Sequence, residues 1–376
     1  LKSSFLKSMS RAGRLVRAGS LLEATAAIQG ALARLHGLQP AAPFRARGAR
    51  RAAAAPLSPR HGTPHDATDP IAMPLPARGD TRDGDPPAEP GSFRSGAVQL
   101  GVVAARYKVF VPQRAEGEAL PLVVMLHGCT QDPDDFAAGT RMNARADELG
   151  FAVLYPEQSR AGNPSRCWNW FRREDQVRGQ GEPAAIVAMT DAVIAEFGLD
   201  ARRVFIAGMS AGGAMAAIVA REYPERYRAV GIHSGLPAGA AKNVPDAMAV
   251  MRTGMARAAA VAAESPAMPS HEMPTIVFHG TADRTVHPHN GGRAVEAALG
   301  AARAAIVPTV ENVTTPDGVR YSRSQYVRAD GTLLAEHWLV RDGSHAWSGG
   351  DPTGSYTEPS GPSATDAMLT FFGLRH

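Results

Sequence analysis

The chain has 376 residues and 44% hydrophobic content, enough for one large domain with a full core and a tail beside it. No apolar run approaches the roughly eighteen residues of a membrane-spanning helix, and the start shows no compact apolar block of a secretory signal, so a soluble chain is expected. The formal charge of +4 is uneven: residues 1–60 hold eleven Lys and Arg against the single acid Glu23, a net +10 that leaves about −6 for the rest. A basic tail alone is more often a solvated arm than a nucleic-acid site, and no nucleic-acid partner is expected.

Residues 1–38 carry Leu15, Val16, Leu21, Leu22, Ile28, Leu32 and Leu35 at spacings that suit one helix face, so a helical, basic N-terminal segment is predicted. From 39 to 96 the text is Pro, Gly, Arg, Asp and Ala without periodicity, as in Asp83-Gly84-Asp85-Pro86-Pro87, which reads as a disordered linker. The catalytic domain is expected over 97–376. It opens with strands at Tyr107-Lys108-Val109-Phe110-Val111 and Leu122-Val123-Val124-Met125-Leu126, the second apolar throughout like a central parallel strand. One helix over 134–149, a strand over 151–155, a helix over 183–197, a strand at Arg203-Val204-Phe205-Ile206-Ala207 and an Ala-rich helix follow. This alternation predicts an α/β fold, a mostly parallel doubly wound sheet with its ligands at the carboxyl ends of the strands. After a strand over 229–233 comes an Ala- and Met-rich insertion over 236–273, either a lid across the site or an ordinary connecting helix pair. A strand at Thr275-Ile276-Val277-Phe278, a hairpin around Ala329-Asp330-Gly331 and a closing helix over 364–372 complete the domain.

Gly208-Met209-Ser210-Ala211-Gly212 falls between a strand and a helix, the position of the nucleophile elbow of an α/β-hydrolase. A serine hydroxyl needs a base, and the base needs an acid to set its tautomer, with chain order serine, acid, histidine in this fold. Asp283, in the text after the strand at 275–278, is the expected acid. Asp342 is its competitor, but it lies only three residues before His345, the expected base at the end of Glu336-His337-Trp338-Leu339-Val340 and its Gly/Ser turn. The oxyanion of a tetrahedral intermediate would be held by the N–H of Ala211 and by a second N–H after Leu126, with Cys129 preferred and Thr130 its neighbour. His127 is read as a turn brace, and His233 and His279 as strand-end groups that satisfy loop carbonyls. This chemistry requires no cofactor and no metal, and His287 and His289 lack the Cys or carboxylate spacing that would complete a metal set.

The region 97–376 resembles the polyhydroxybutyrate depolymerase family of esterases. The matching text is Leu126-His127-Gly128-Cys129-Thr130-Gln131, Tyr155-Pro156-Glu157-Gln158, Cys167-Trp168-Asn169-Trp170-Phe171, the elbow with Gly213, His233-Ser234-Gly235, His279-Gly280 with Asp283, and Ser344-His345-Ala346-Trp347. The resemblance implies carboxylic-ester hydrolysis, with hydroxyalkanoate polyesters, feruloyl esters or other short acyl and aryl esters as substrates, and relatives that are often extracellular. No polymer-binding module is visible after the catalytic text, which speaks against attack on crystalline polymer. A non-catalytic homologue docking to a granule or surface is the reading from another class. The two cysteines, Cys129 and Cys167, fall inside the resemblance, as a disulfide pinning the oxyanion loop or as two buried thiols. Trp168, Trp170 and Trp347 gather near the inferred site, and Trp168 and Trp347 are expected to contact substrate.

Overall fold

The computed structural model describes residues 91–101, 103–113, 117–254 and 273–375. The expected N-terminal helix, most of the expected linker and residues 255–272 of the expected lid lie outside the described residues. In chain order the elements are β1 (Ser92–Leu100), β2 (Val103–Val111), β3 (Leu122–Leu126), α1 (Pro133–Thr140), α2 (Met142–Leu149), β4 (Ala152–Pro156), α3 (Gly181–Phe197), β5 (Val204–Met209), α4 (Ala211–Glu222), β6 (Val230–His233) and α5 (Val244–Thr253). They continue with β7 (Thr275–Gly280), α6 (His289–Leu299), β8 (Thr309–Thr314), β9 (Arg320–Val327), β10 (Leu333–Val340), β11 (Trp347–Ser348), β12 (Thr357–Glu358) and α7 (Ala364–Phe371).

Ten strands form one sheet in the order β1-β2-β4-β3-β5-β6-β7-β10-β9-β8. The six central strands from β4 to β10 run parallel, and antiparallel pairs flank them on both sides. Alternation along each central strand feeds two apolar cores. Leu122, Val124 and Leu126 of β3 and Val204 and Ile206 of β5 pack under α3, α4 and α6. Val123, Met125, Phe205, Ala207 and Met209 face the opposite way, toward α1, α2 and α7. Strands buried on both faces need apolar residues at every position, which is why β3 reads as an unbroken run. Each fully buried Leu or Val contributes about 1.5–3 kcal/mol.

Two sequence expectations change, and the insertion over 236–273 gains a defined helix. Residues 92–96, assigned to the linker, already pair with β2, from Ser92 opposite Val111 to Gly96 opposite Tyr107. Gly96 gives the Tyr107 ring its place across that pairing, since a Cβ there would meet the ring at 2.4 Å and displace it. The single helix expected over 134–149 is two, because Arg141 turns left-handed at φ 54° and caps α1 while opening α2. Within the expected lid, Asn243 caps α5 through its side chain to the Asp246 N–H.

Candidate active site

Strand β5 delivers Ser210 through a turn that only glycines permit. A Cβ at Gly212 would sit 2.0 Å from the Leu126 carbonyl oxygen, and one at Gly208 would sit 2.5 Å from the Gly212 backbone. Ser210 itself adopts φ 56°, ψ −119°. Such a conformation costs on the order of 1–3 kcal/mol for a residue with a side chain, and here it is held by the Ser210 N–H donating to the His233 carbonyl at 2.9 Å and by the Ala214 N–H donating to the Ser210 carbonyl at 3.0 Å. The serine is 8% exposed. Among the described residues its Oγ forms no hydrogen bond.

Asp283 and His345 meet directly: His345 Nδ1 lies 2.7 Å from Asp283 Oδ2. An ionised carboxylate only accepts, so Nδ1 carries the proton and Nε2 keeps its lone pair. Asp283 Oδ1 accepts the N–H groups of Thr285 and Val286 at 2.8 and 2.9 Å. Burial alone would raise the Asp283 pKa, but hydrogen bonds from His279, His345 and the backbone hold the carboxyl well below its usual range. The competitor Asp342 turns outward, its side chain 82% exposed beside Arg320 at 4.0 Å. Close approach of the two loops depends on Gly280, where a Cβ would meet the Gly343 oxygen at 2.2 Å.

His345 follows β10, three places across the sheet from β5, so its loop must return over β7 and β6 to approach Ser210. It does so in steps. Ala282 N–H donates to Gly343 O at 3.0 Å, Ser348 N–H donates to His233 Nε2 at 3.1 Å, and His233 stacks on Trp347 at 4.9 Å. Farther on, Asp351 N–H reaches Gly139 O and Ser355 N–H reaches Asp135 Oδ1, both at 2.8 Å. The chain after β10 therefore sweeps the carboxyl edge of the sheet from β10 to the loop after β3.

That last loop lies against the elbow, with a Cβ position at Gly128 only 3.7 Å from Ser210 Cβ. Its N–H groups are committed one by one: Gly128 to Gln131 Oε1 at 2.9 Å, Thr130 to Ser165 O at 2.7 Å, Gln131 to Gly128 O at 3.3 Å. Among the described residues the Cys129 N–H is the donor of this turn left without a partner, and Ala211 N–H is the first of α4. Cys129 Sγ is bonded to Cys167 Sγ. His127 Nδ1 donates to Gly128 O at 2.8 Å while its Nε2 accepts the Gln158 N–H at 3.1 Å, so the ring is neutral; burial lowers its pKa to about 4.

The expected substrate platform is corrected. Trp168 is 3% exposed and donates Nε1–H to His127 O at 3.1 Å; Trp347 is 1% exposed, stacked on His233, edge-on to Phe136, with Nε1–H donated to Thr365 Oγ1 at 3.0 Å. Both indoles brace the loops from within because their polar edges find partners in the core. The aromatic that does reach solvent is Tyr356, 45% exposed, with φ 53°. Its hydroxyl meets Thr130 Oγ1 at 3.1 Å, and its ring lies edge-on to His345 with centroids 6.5 Å apart. Composition around Tyr356 carries no motif, which is why the sequence reading passed over it. His279 satisfies the Val286 carbonyl at 2.8 Å as expected, whereas His233 accepts an N–H rather than serving a carbonyl. Among the described residues no three His, Cys, Asp or Glu stand together as a metal set. No described helix is long and apolar enough to cross a membrane.

Residues 105–301, the stretch holding Cys129, Ser210 and Asp283, match the family model described as esterase PHB depolymerase. The chain belongs to the PHB depolymerase family of esterases. Poly(3-hydroxyalkanoate) depolymerase C of Paucimonas lemoignei is 32% identical over 230 residues, 60% of this chain and 54% of that one. Feruloyl esterase B of Neurospora crassa is 29% identical over 280 residues, 72% of this chain and 88% of that one. The chain thus spans about half the length of the bacterial depolymerase that it matches. In three dimensions, the acetyl xylan esterase from Aspergillus awamori superposes with a TM-score of 0.55 at 18% identity, over 75% of this chain and 99% of that one, a likeness of fold.

Proposed function

We propose that this PHB depolymerase family esterase is a serine hydrolase of carboxylic esters that works through an acyl-enzyme. Ser210 Oγ attacks the ester carbonyl and His345 Nε2 takes its proton, returning it to the leaving alcohol. Asp283 holds His345 in the Nδ1–H tautomer and stabilises the imidazolium. The N–H groups of Cys129 and Ala211 receive the oxyanion, and water then repeats the sequence on the acyl-serine. The observation that carries this reading is the 2.7 Å bond from His345 to Asp283, which leaves Nε2 bare on the edge where the strained Ser210 stands.

Hydroxyalkanoate esters and oligomers are the substrate class favoured by the depolymerase likeness. Feruloyl or general aryl esters are the second reading, favoured by the exposed ring of Tyr356 at the rim beside His345 and Thr130. Covalent labelling by a fluorophosphonate, abolished in Ser210→Ala, tests the mechanism; absence of labelling in the wild type would favour a non-catalytic binding protein instead. Rates on a nitrophenyl acyl series, methyl ferulate and hydroxybutyrate oligomers separate the substrate readings.

A further inference from the structure

Two buried imidazole nitrogens outside the proposed triad have no protein partner: His279 Nδ1 and His337 Nε2. His279 is fully buried near the end of β7, and its Nε2 lies 2.8 Å from Val286 O and 3.4 Å from Asp283 Oδ2. A carbonyl and a carboxylate can only accept, so Nε2 carries the proton and Nδ1 presents a bare lone pair to the interior. His337 stands one strand over. In the parallel register Leu339 faces His279 and His337 faces Val277, which puts the two histidines on one side of the sheet.

Both orphaned nitrogens point at the same spot on α6. A methyl group on Gly291 would lie 2.9 Å from His279 Nδ1 and 3.2 Å from His337 Nε2. The glycine therefore lets both rings come close to one side of α6, one nitrogen an obligate acceptor and the other able to donate, and the notch is the gap between these two nitrogens. We propose that a single buried water occupies this notch, bridging His337 Nε2 to His279 Nδ1, and that the bridge makes His279 a positioning residue for Asp283. The water donates one hydrogen to His279 Nδ1 and accepts from His337 Nε2–H, giving each buried nitrogen the partner that it lacks. A cation is the poorer occupant, because two imidazoles alone do not complete a coordination set and no third His, Cys, Asp or Glu ligand joins them among the described residues.

The consequence runs toward the acid. A hydrogen donated to Nδ1 excludes the other neutral tautomer, in which a bare Nε2 would face Val286 O and Asp283 Oδ2, acceptor against acceptor. The segment from Asp283 to Val286 is held by that Nε2–H and by the Thr285 and Val286 N–H groups on Oδ1. Loss of the bridge leaves the buried Nδ1 unmet, loosens the ring, and lets the carboxylate that orients His345 drift.

The test uses the full chain and has a reading independent of activity. In the wild type, long-range proton–nitrogen NMR of histidine-labelled protein gives His279 as the Nε2–H tautomer, and a high-resolution crystal structure holds density within about 2.6–3.2 Å of both nitrogens. His337→Phe removes the donor and Gly291→Ala fills the notch; each lowers kcat about tenfold with KM unchanged, while His337→Gln, which restores an N–H near the same point, recovers most of the rate. A dry notch, a direct contact between the nitrogens, a metal found by elemental analysis, or unchanged kcat in His337→Phe overturns the proposal. If a variant does not fold, the wild-type NMR and density decide. The kinetic arm rests on Asp283 serving Ser210, and failure of that reading is recognised separately, by wild-type protein that takes no fluorophosphonate.

Discussion

His233 and Trp347 stack face to face at 4.9 Å, and through that pair the strand end that steadies Ser210 is joined to the loop that bears His345. Because His233 Nε2 accepts the Ser348 N–H, the neutral ring carries its proton on Nδ1, toward Ser234 Oγ at 3.2 Å. His233→Phe keeps the stack and removes the acceptor. The buried Ser348 N–H is then unmet, and we expect a loss of about 1–3 kcal/mol in urea unfolding together with a fall in kcat at constant KM.

The Asp283 carboxylate is expected to be irreplaceable by its amide. In Asp283→Asn the carboxamide no longer enforces the Nδ1–H tautomer of His345, and kcat should drop on the order of 10⁴-fold, as in other triads that lose this acid. Asp342→Asn is the matched control, since Asp342 faces solvent, and its rate on a nitrophenyl ester should stay within about twofold of wild type. Comparable losses in both would refute the assignment of the acid.

Local text was enough for the elbow, because glycine on both sides of Ser210 answers clashes of the tight strand-to-helix turn itself. The pairing of Asp283 with His345 was legible for a related reason: each follows a recognisable apolar strand, and chain order leaves few alternatives. What escaped reading depended on contacts between distant segments. Strand β1 hides in Ser92-Phe93-Arg94-Ser95-Gly96, whose composition resembles a linker until β2 supplies its partner. Trp168 and Trp347 were misjudged because an aromatic near a motif can turn inward or outward, and only the positions of His127 O and Thr365 Oγ1 settle which. Tyr356 comes beside Thr130 across 226 residues of sequence, a closeness that no periodicity reports.

The Cys129–Cys167 bond closes a loop of 38 residues whose first member offers the free N–H of the turn. Cutting it should cost about 3–4 kcal/mol by loop entropy. It should also blur the position of that donor, with the loss in kcat bounded by the roughly 10²–10³-fold that one oxyanion donor is worth. Calorimetry and initial rates of Cys167→Ser, and of wild type with and without a phosphine reductant, check both. A reduced enzyme with undiminished kcat would separate the disulfide from the chemistry.

Three buried histidines predict the acid limit of stability. Burial lowers His127 and His337 to about 4 and His233 to about 3, from an ordinary value near 6.5. Between those limits the unfolded chain binds more protons than the folded one. Their stabilising contribution is therefore complete above about pH 6.5 and is lost as pH falls toward 4 and 3, by at most about 1.4 kcal/mol per pH unit for each proton. Urea midpoints followed from pH 7.5 to 4 should show this decline, shallower in His337→Phe. Buried Glu182, pushed up to about 8, holds a proton in the fold that the unfolded chain releases and so opposes this decline between about pH 8 and 4.5. The decisive reading is the difference between wild type and His337→Phe, and identical slopes would mean that His337 is charged in the fold.

Tyr356 should set what the rim prefers. Its left-handed backbone is strained for an aromatic residue, and its ring lies edge-to-face with His345 while its hydroxyl rests on Thr130 of the loop after β3. An aryl group stacked on that ring gains about 0.5–1.5 kcal/mol, so Tyr356→Ala should raise KM for methyl ferulate about 3–10-fold while leaving a short acetate ester near wild type. Tyr356→Phe keeps the ring and loses only the Thr130 contact. It should therefore retain the aryl preference, with any loss confined to kcat through a looser oxyanion loop. Equal KM changes for aryl and acetyl esters in Tyr356→Ala would assign the residue to loop stability alone, with the aryl reading of the substrate falling along with it.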